Sequence, residues 1–327
     1  MKTNLKNRNS KKNERNKLLA FSKYLFKYFS LLSFIIIIIK IHFPNVSGLD
    51  FDFDKKYIFT FWEPKKKIPG YLRLCIKTWE KFLTEYEIKI FDYRNAKNYI
   101  GESLFYKIAC KEMSKSLQAD AIRVALLQKF GGIWMDTDTI ILNREFLKEL
   151  NRSELIMFGE NQNKTQSIAF IYAKKNSTIM NEWLEQIIKN VNIYRDFLLI
   201  KRNNSHSDYK ILTKKMKEWN YLGNGIIDPL LRNVTNEKYY LRLDKFKMNA
   251  FPELLYFENV SIINSDKYKQ FYFQKGEPKK LIHNDKGIIF LHNSWTPKIY
   301  KKMTEKKFLK KDILLSKLLA QILNIKI

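Results

Sequence analysis

Four charged side chains, Asp120, Arg123, Asp136 and Asp138, are spaced for work on an anionic leaving group. Asp136-Thr137-Asp138 ends a short apolar run, Ile133-Trp134-Met135, which reads as a buried strand. Two carboxylates one residue apart at a strand end can aim oxygens at one hard cation. Asp120 and Arg123 stand three apart, so on a helix they share a face. Taken singly these signals are weak. Most Asp-x-Asp triplets are turns or solvated carboxylates, and a lone Asp-x-x-Arg is a surface ion pair worth little. Their combination over Ser116–Asn143 is more specific, because one helix and one strand deliver three carboxylates and a guanidinium to one place.

The elements that must do this are legible. Ala119, Ile122, Leu126, Leu127 and Phe130 recur at helical spacing, on a face other than that of Asp120 and Arg123. Ser116 is expected to cap the helix, and Gly131-Gly132 to end it, since glycine takes the left-handed backbone of a helix C-terminus. Upstream, Tyr57–Glu63 reads as a first strand, Ile68–Leu83 as a helix with Tyr71, Leu74, Cys75, Trp79 and Phe82 on one face, and Tyr86–Asp92 as a second strand. One or two short helices are expected in 95–113. Strand and helix alternate up to Asp138, which implies parallel pairing and a Rossmann-like α/β sheet. Ligands of such sheets bind beyond the carboxyl ends of the strands, where Asp136 and Asp138 fall. Later come strands at Leu155–Phe158 and Ser167–Ala173, a helix at Thr178–Val191 and a polar loop at Asn203–Ser207. A glycine-rich stretch at Tyr221–Pro229 is expected to line a site. A last strand pair in Lys280–His292 runs into Asn293-Ser294-Trp295.

The 327 residues suffice for one large domain plus a terminal anchor. Twenty-four Phe, 18 Tyr and 6 Trp exclude a disordered chain, and two cysteines exclude a disulfide framework. The net charge of +27 calls for an anionic partner. The excess sits at the ends: ten Lys/Arg against Glu14 in 1–43, nine Lys against Glu305 and Asp312 in 298–327. That distribution fits anionic lipid better than a nucleic-acid groove, so a membrane partner and no nucleic acid are expected. The organisation expected is a basic disordered N-terminus (1–27), a membrane anchor or interfacial segment (28–43), a linker (44–56), a catalytic domain (57–300) and a basic amphipathic C-terminal helix (301–327). That last helix reads equally as a packed terminal element.

Asp120-x-x-Arg123, Gly131-Gly132, a hydrophobic strand and Asp136-x-Asp138 together resemble the DXD sugar-binding region of glycosyltransferase family 32 and, more closely, the bacterial capsular polysaccharide synthesis proteins. The helix and strand are also similar to those of the clostridial glucosylating toxins. The resemblance runs from about Tyr57 to Asn143 and resumes at LHNSWTP near Leu291. It implies a GT-A fold, a mixed sheet flanked by helices, and retaining transfer of a sugar from a nucleotide donor, UDP-linked, to a glycan or glycolipid acceptor. It also implies an Mn²⁺ or Mg²⁺ cofactor, which offsets the charge of a departing diphosphate. By similarity Asp138 ligates the metal, Asp136 reaches the metal or the donor ribose, and Asp120 and Arg123 hold sugar hydroxyls, Arg123 also lying near the diphosphate. Gly132 lets the backbone turn beneath the donor, and Trp62 stacks on the nucleobase. His292 is a third metal ligand, with Asn293, Ser294 and Trp295 as donor contacts; the toxins have a carboxylate or amide where this chain offers His292 or Asn293.

Two other classes compete. A non-catalytic, membrane-tethered basic protein explains the charged ends but not Asp120–Asp138. A metal-dependent phosphohydrolase would recruit more clustered His and Asp ligands than this chain shows. A bacterial, cytosol-facing membrane enzyme is favoured over a Golgi-type single-pass one, although positive-inside logic with a true span would put the domain across the membrane.

Overall fold

The computed structural model describes residues 55–159, 166–203, 220–243, 265–278 and 287–326. The basic N-terminus 1–27, the hydrophobic segment 28–43, nearly all of the 44–56 linker and the polar loop after Asn203 lie outside these residues. Among the described residues no helix is long and apolar enough to cross a membrane.

KYIFTF at Lys56–Phe61 is apolar on both faces of its pleat, which suits a strand covered on both sides. It forms β1, buried from Tyr57 onward. The other strands are Tyr86–Phe91 (β2), Gly132–Met135 (β3), Thr139–Ile141 (β4), Leu155–Gly159 (β5), Gln166–Ala173 (β6), Tyr240–Leu243 (β7) and Ile288–Phe290 (β8). Among the described residues they build a six-stranded sheet, β2-β1-β3-β6-β5-β7, and a two-stranded one, β4-β8. β1 is parallel to β2 and β3, as the strand and helix order implied. The sheet then becomes mixed, with β6 antiparallel to β3 and β5, and β7 parallel to β5.

The helices are Gly70–Phe82 (α1), Tyr93–Ile100 (α2), Glu102–Ile108 (α3), Lys115–Phe130 (α4), Thr178–Asn203 (α5), Asn224–Leu231 (α6), Ser265–Tyr272 (α7), Lys298–Lys301 (α8), Glu305–Leu309 (α9) and Leu314–Leu323 (α10). The result is the expected α/β class, a central mixed sheet flanked by helices. α1 is anchored over β4: the Trp79 indole donates to the Thr139 carbonyl at 2.7 Å, and Ile141 N–H donates to Thr78 Oγ1 at 2.9 Å.

Several expectations are corrected. The cap of α4 is Ser114, whose hydroxyl accepts from Leu117 N–H at 3.3 Å; Ser116 lies inside the first turn. α4 is not amphipathic either. Asp120 through Leu127 are all buried, because this helix is covered by the sheet on one side and by α5 on another. The Tyr221–Pro229 stretch, expected to line a site, is a tight turn leading into α6. β8 pairs with β4, far away in sequence; residues 280–286 of the expected Lys280–His292 strand pair lie outside the described residues. The C-terminal segment is not one amphipathic helix but three short ones, α8, α9 and α10. Phe308, Leu315, Leu318 and Leu319 are buried in one core cluster with Tyr71, Leu72 and Leu74 of α1.

Gly132 adopts φ +100°, and a Cβ there would lie 2.7 Å from the Tyr57 carbonyl oxygen of β1. Both facts demand glycine. Gly132→Ala should therefore cost roughly 2–4 kcal/mol, read as a lowered midpoint in denaturant at unchanged slope. A shift within about 0.5 kcal/mol would contradict this close approach.

Candidate active site

β1 and β3 run parallel, so their carboxyl ends open on the same edge of the sheet. Trp62 follows β1 and Asp136 follows β3. α4 returns past that edge with Asp120 and Arg123. A cavity of about 460 Å³ lies between them, lined among others by Trp62, Asp120, Arg123, Asp136, Asp138 and Asn293.

Arg123 is the hub. Its guanidinium bridges two carboxylates, Nη1 at 3.1 Å from Asp120 Oδ1 and Nη2 at 2.8 Å from Asp136 Oδ1. Asp136 Oδ1 also accepts the Trp134 indole N–H at 2.8 Å, and the guanidinium lies over that indole, 4.8 Å from the ring centroid. Asp120 and Arg123 side chains are only 6% and 4% exposed, whereas Asp136 is 34% exposed and faces the cavity. Burial outweighs the attraction of Arg123 and pushes the Asp120 carboxyl up to about 7.

Asp138 is held from another part of the chain. Its Oδ2 accepts the Asn293 backbone N–H at 2.8 Å, and its carbonyl accepts Leu291 N–H at 3.0 Å. The Asn293 side-chain oxygen in turn accepts the Tyr71 hydroxyl at 2.6 Å. Burial, with the neighbouring Asp136 charge, pushes the Asp138 carboxyl up to about 7. A carboxyl raised in this way, with a second carboxylate beside it, is suited to a dication, which offsets both the burial and the repulsion.

The expected residues thus divide. Asp120, Arg123, Asp136, Asp138, Trp62 and Asn293 gather on one cavity. Gly132 does not: it starts β3, while Asp136 follows its other end, and its glycine requirement comes from β1. His292 is off the cavity wall. In the extended backbone after β8 its ring is stacked on Trp295 at 4.1 Å, with the edge of Tyr268 5.8 Å away. Among the described residues no three His, Cys, Asp or Glu side chains gather as a metal cluster. Ser294 is exposed and Trp295 packs against the α1 core; neither lines the cavity.

Sequence reasoning assigned Trp134 to the core alone. Its two-residue offset from Asp136 puts both side chains on one face of the extended chain, and that signal was available. Lys115, which lines the cavity and donates to the Glu63 carbonyl at 3.3 Å, carries no motif that marks it. Gly223 explains the glycine-rich turn: a Cβ there would meet Asp120 Oδ2 at 3.0 Å and Ile168 Cδ1 at 2.7 Å, so the turn packs behind Asp120.

A family model described as capsular polysaccharide synthesis protein matches residues 4–272. The chain belongs to that family. Its enzyme class, with that family's, is glycosyltransferase, as the motif implies. No curated protein matches the sequence. Similar solved structures include the ligand-free glycosyltransferase domain of the YGT toxin, at 10% identity over 82% of this chain and 99% of that one, TM-score 0.38. A glycosyltransferase involved in glycosylation of the major capsid of PBCV-1 matches at 12% identity over 77% and 99%, TM-score 0.38. The PaToxG glycosyltransferase matches at 16% identity over 54% and 68%, TM-score 0.34. Membership of the capsular polysaccharide synthesis protein family rests on the sequence match.

Proposed function

We propose that this enzyme has a GT-A fold and transfers a sugar, with retention and with a divalent cation, from a UDP-sugar to a glycan or glycolipid acceptor in surface polysaccharide synthesis. The observation that carries the reading is the Arg123 bridge between Asp120 and Asp136, with Asp138 beside it, on a cavity at the carboxyl ends of parallel strands.

The donor set fits Mn²⁺ or Mg²⁺. Hard cations of this kind are commonly held by one or two carboxylates, with substrate phosphates supplying further oxygens. Asp138, with Asp136, would hold the ion, whose chemistry is to offset charge developing on the departing diphosphate. The chain's own groups do the rest. Asp120, fixed by Arg123, accepts hydrogen bonds from donor-sugar hydroxyls. Arg123 adds positive charge where the diphosphate lies, and Trp62 offers a ring face to the nucleobase. In the proposed front-face transfer the bond from the anomeric carbon to the phosphate oxygen breaks, the acceptor oxygen bonds that carbon on the same face, and the acceptor proton passes to the leaving phosphate. Because donors of this class are cytosolic in bacteria, the domain is proposed to face the cytosol at the inner membrane.

A panel of nucleotide sugars, each incubated with the full chain and Mn²⁺, tests the reading through slow release of free nucleotide. Hydrolysis of one donor, abolished by a chelator and restored by Mn²⁺, is the expected result. Metal-independent hydrolysis, or no binding of any donor, would sink it.

A further inference from the structure

Two lysine-rich segments far apart in sequence converge on one face. Gly70 N–H, at the start of α1, donates to the Met303 carbonyl at 3.2 Å, and no Cβ would fit between Gly70 and the Met303–Glu305 backbone. Lys77 and Glu305, 228 residues apart, form an ion pair at the same seam. A cavity of about 440 Å³ opens there, with Lys67, Arg73, Lys301, Lys302 and Lys306 on its wall. The one acid lining it is Glu305, whose carboxylate is taken by Lys77. Lys65 and Lys66 stand exposed on the preceding turn. Folding thus gathers cations that the sequence keeps apart.

Amid this charge stands an apolar side chain. Ile299, in α8 between Lys298 and Lys301, is 63% exposed. The apolar residues of α9 and α10 are buried, Leu323 partly so, and Ile299 is therefore not the rim of a larger hydrophobic stripe. A dense cationic face attracts any polyanion. An exposed isoleucine set among its lysines favours a partner with an apolar interior. The face also adjoins the active site, since Asn293 on the cavity wall leads through Thr296 and Pro297 directly into α8.

We infer that this face seats the enzyme on an anionic lipid bilayer, with the lysines over headgroup phosphates and Ile299 in the interface. The cavity of Asp136 and Asp138 then opens close to the membrane surface. The inference does not depend on which nucleotide sugar is the donor.

The test uses the full chain and vesicles of phosphatidylcholine with or without phosphatidylglycerol. K65Q/K66Q/K302Q/K306Q removes four charges from the face. K55Q/K56Q/K148Q/K174Q removes four exposed charges from the cavity at the opposite strand ends. At about fivefold per charge, the first set should weaken partitioning onto anionic vesicles by ~100-fold or more, and the second by far less. A polarity-sensitive dye on Ile299→Cys reports the seating itself, because Cys75 and Cys110 are buried. Its emission should shift to the blue on anionic vesicles and return in high salt. Equal losses from both charge sets would overturn the proposal, as would an unshifted dye on vesicle-bound protein. So would a dye that responds to soluble anionic polysaccharide and not to vesicles, which would make this a glycan-binding face.

Discussion

Asp138→Asn is expected to lower sugar transfer by roughly 10³-fold while leaving the fold intact. The amide keeps an acceptor for the Asn293 N–H that now reaches Asp138 Oδ2 at 2.8 Å, so the local backbone has no reason to move. What disappears is a charge. On the proposed reading, the site then loses its hold on a cation that would supply several kcal/mol of transition-state stabilisation, and each 1.4 kcal/mol is a factor of ten in rate. Acidity supplies a second readout. Burial and Asp136 hold the Asp138 carboxyl up at about 7, so below that pH a proton competes with the cation. Titration calorimetry with Mn²⁺ and a UDP-sugar should show affinity rising about tenfold per pH unit up to near 7 and levelling above it, with a flat profile for Asp138→Asn. The stability linkage has the matching sign. Protonation of Asp138 stabilises the native state most below the ordinary carboxylate range, and that contribution is lost as pH rises through about 7. The variant should thus be at least as stable as the parent at pH 8. Full activity in Asp138→Asn would remove it from the catalytic assignment.

Arg123→Met should be the most disruptive single change at the site. The methionine fills most of the volume but leaves Asp120, 6% exposed, beside Asp136 with no guanidinium between them. Breaking a buried ion pair from one side costs about 3–5 kcal/mol, and protonation of Asp120, already pushed up to about 7, brings the expectation to the lower end. For a domain of this size that lowers Tm by roughly 6–12 °C. Asp120→Asn in the same chain should return most of the stability, since the stranded charge is gone, and none of the transfer activity. Non-additivity of that kind separates charge compensation from packing. A double variant as unstable as Arg123→Met would show that the methionine itself is the fault.

The part of the site that was legible in the sequence is the part built from local order. A helix, two glycines and a strand place Asp120, Arg123 and Asp136 almost independently of the rest of the chain, because helix face and strand pleat are set by spacing alone. β1, β2 and α1 were legible for the same reason. The misreadings share a cause as well. α4 reads as amphipathic from the spacing of its apolar residues, yet Asp120 and Arg123 pair with each other and the helix is buried all round from Asp120 to Leu127. Periodicity cannot express that. β7 is four residues long and its partner β5 lies far upstream, too little pattern to mark a strand. His292 was assigned by its neighbours in sequence, whereas the group that reaches Asp138 from that motif is the backbone N–H of Asn293, which no side-chain motif records.

The two carboxylates of Asp136-Thr137-Asp138 are held by partners of very different age on the ribosome. Arg123 and Trp134, which fix Asp136, are translated just before it. Asn293, which fixes Asp138, lies 155 residues later. At roughly 5–20 residues per second the interval is about 10–30 s. A nascent chain therefore has the Arg123–Asp136 half of its site early and acquires the second carboxylate's anchor only when β8 has emerged and paired with β4. A chain stopped before β8 therefore carries Asp138 without the backbone N–H that holds it.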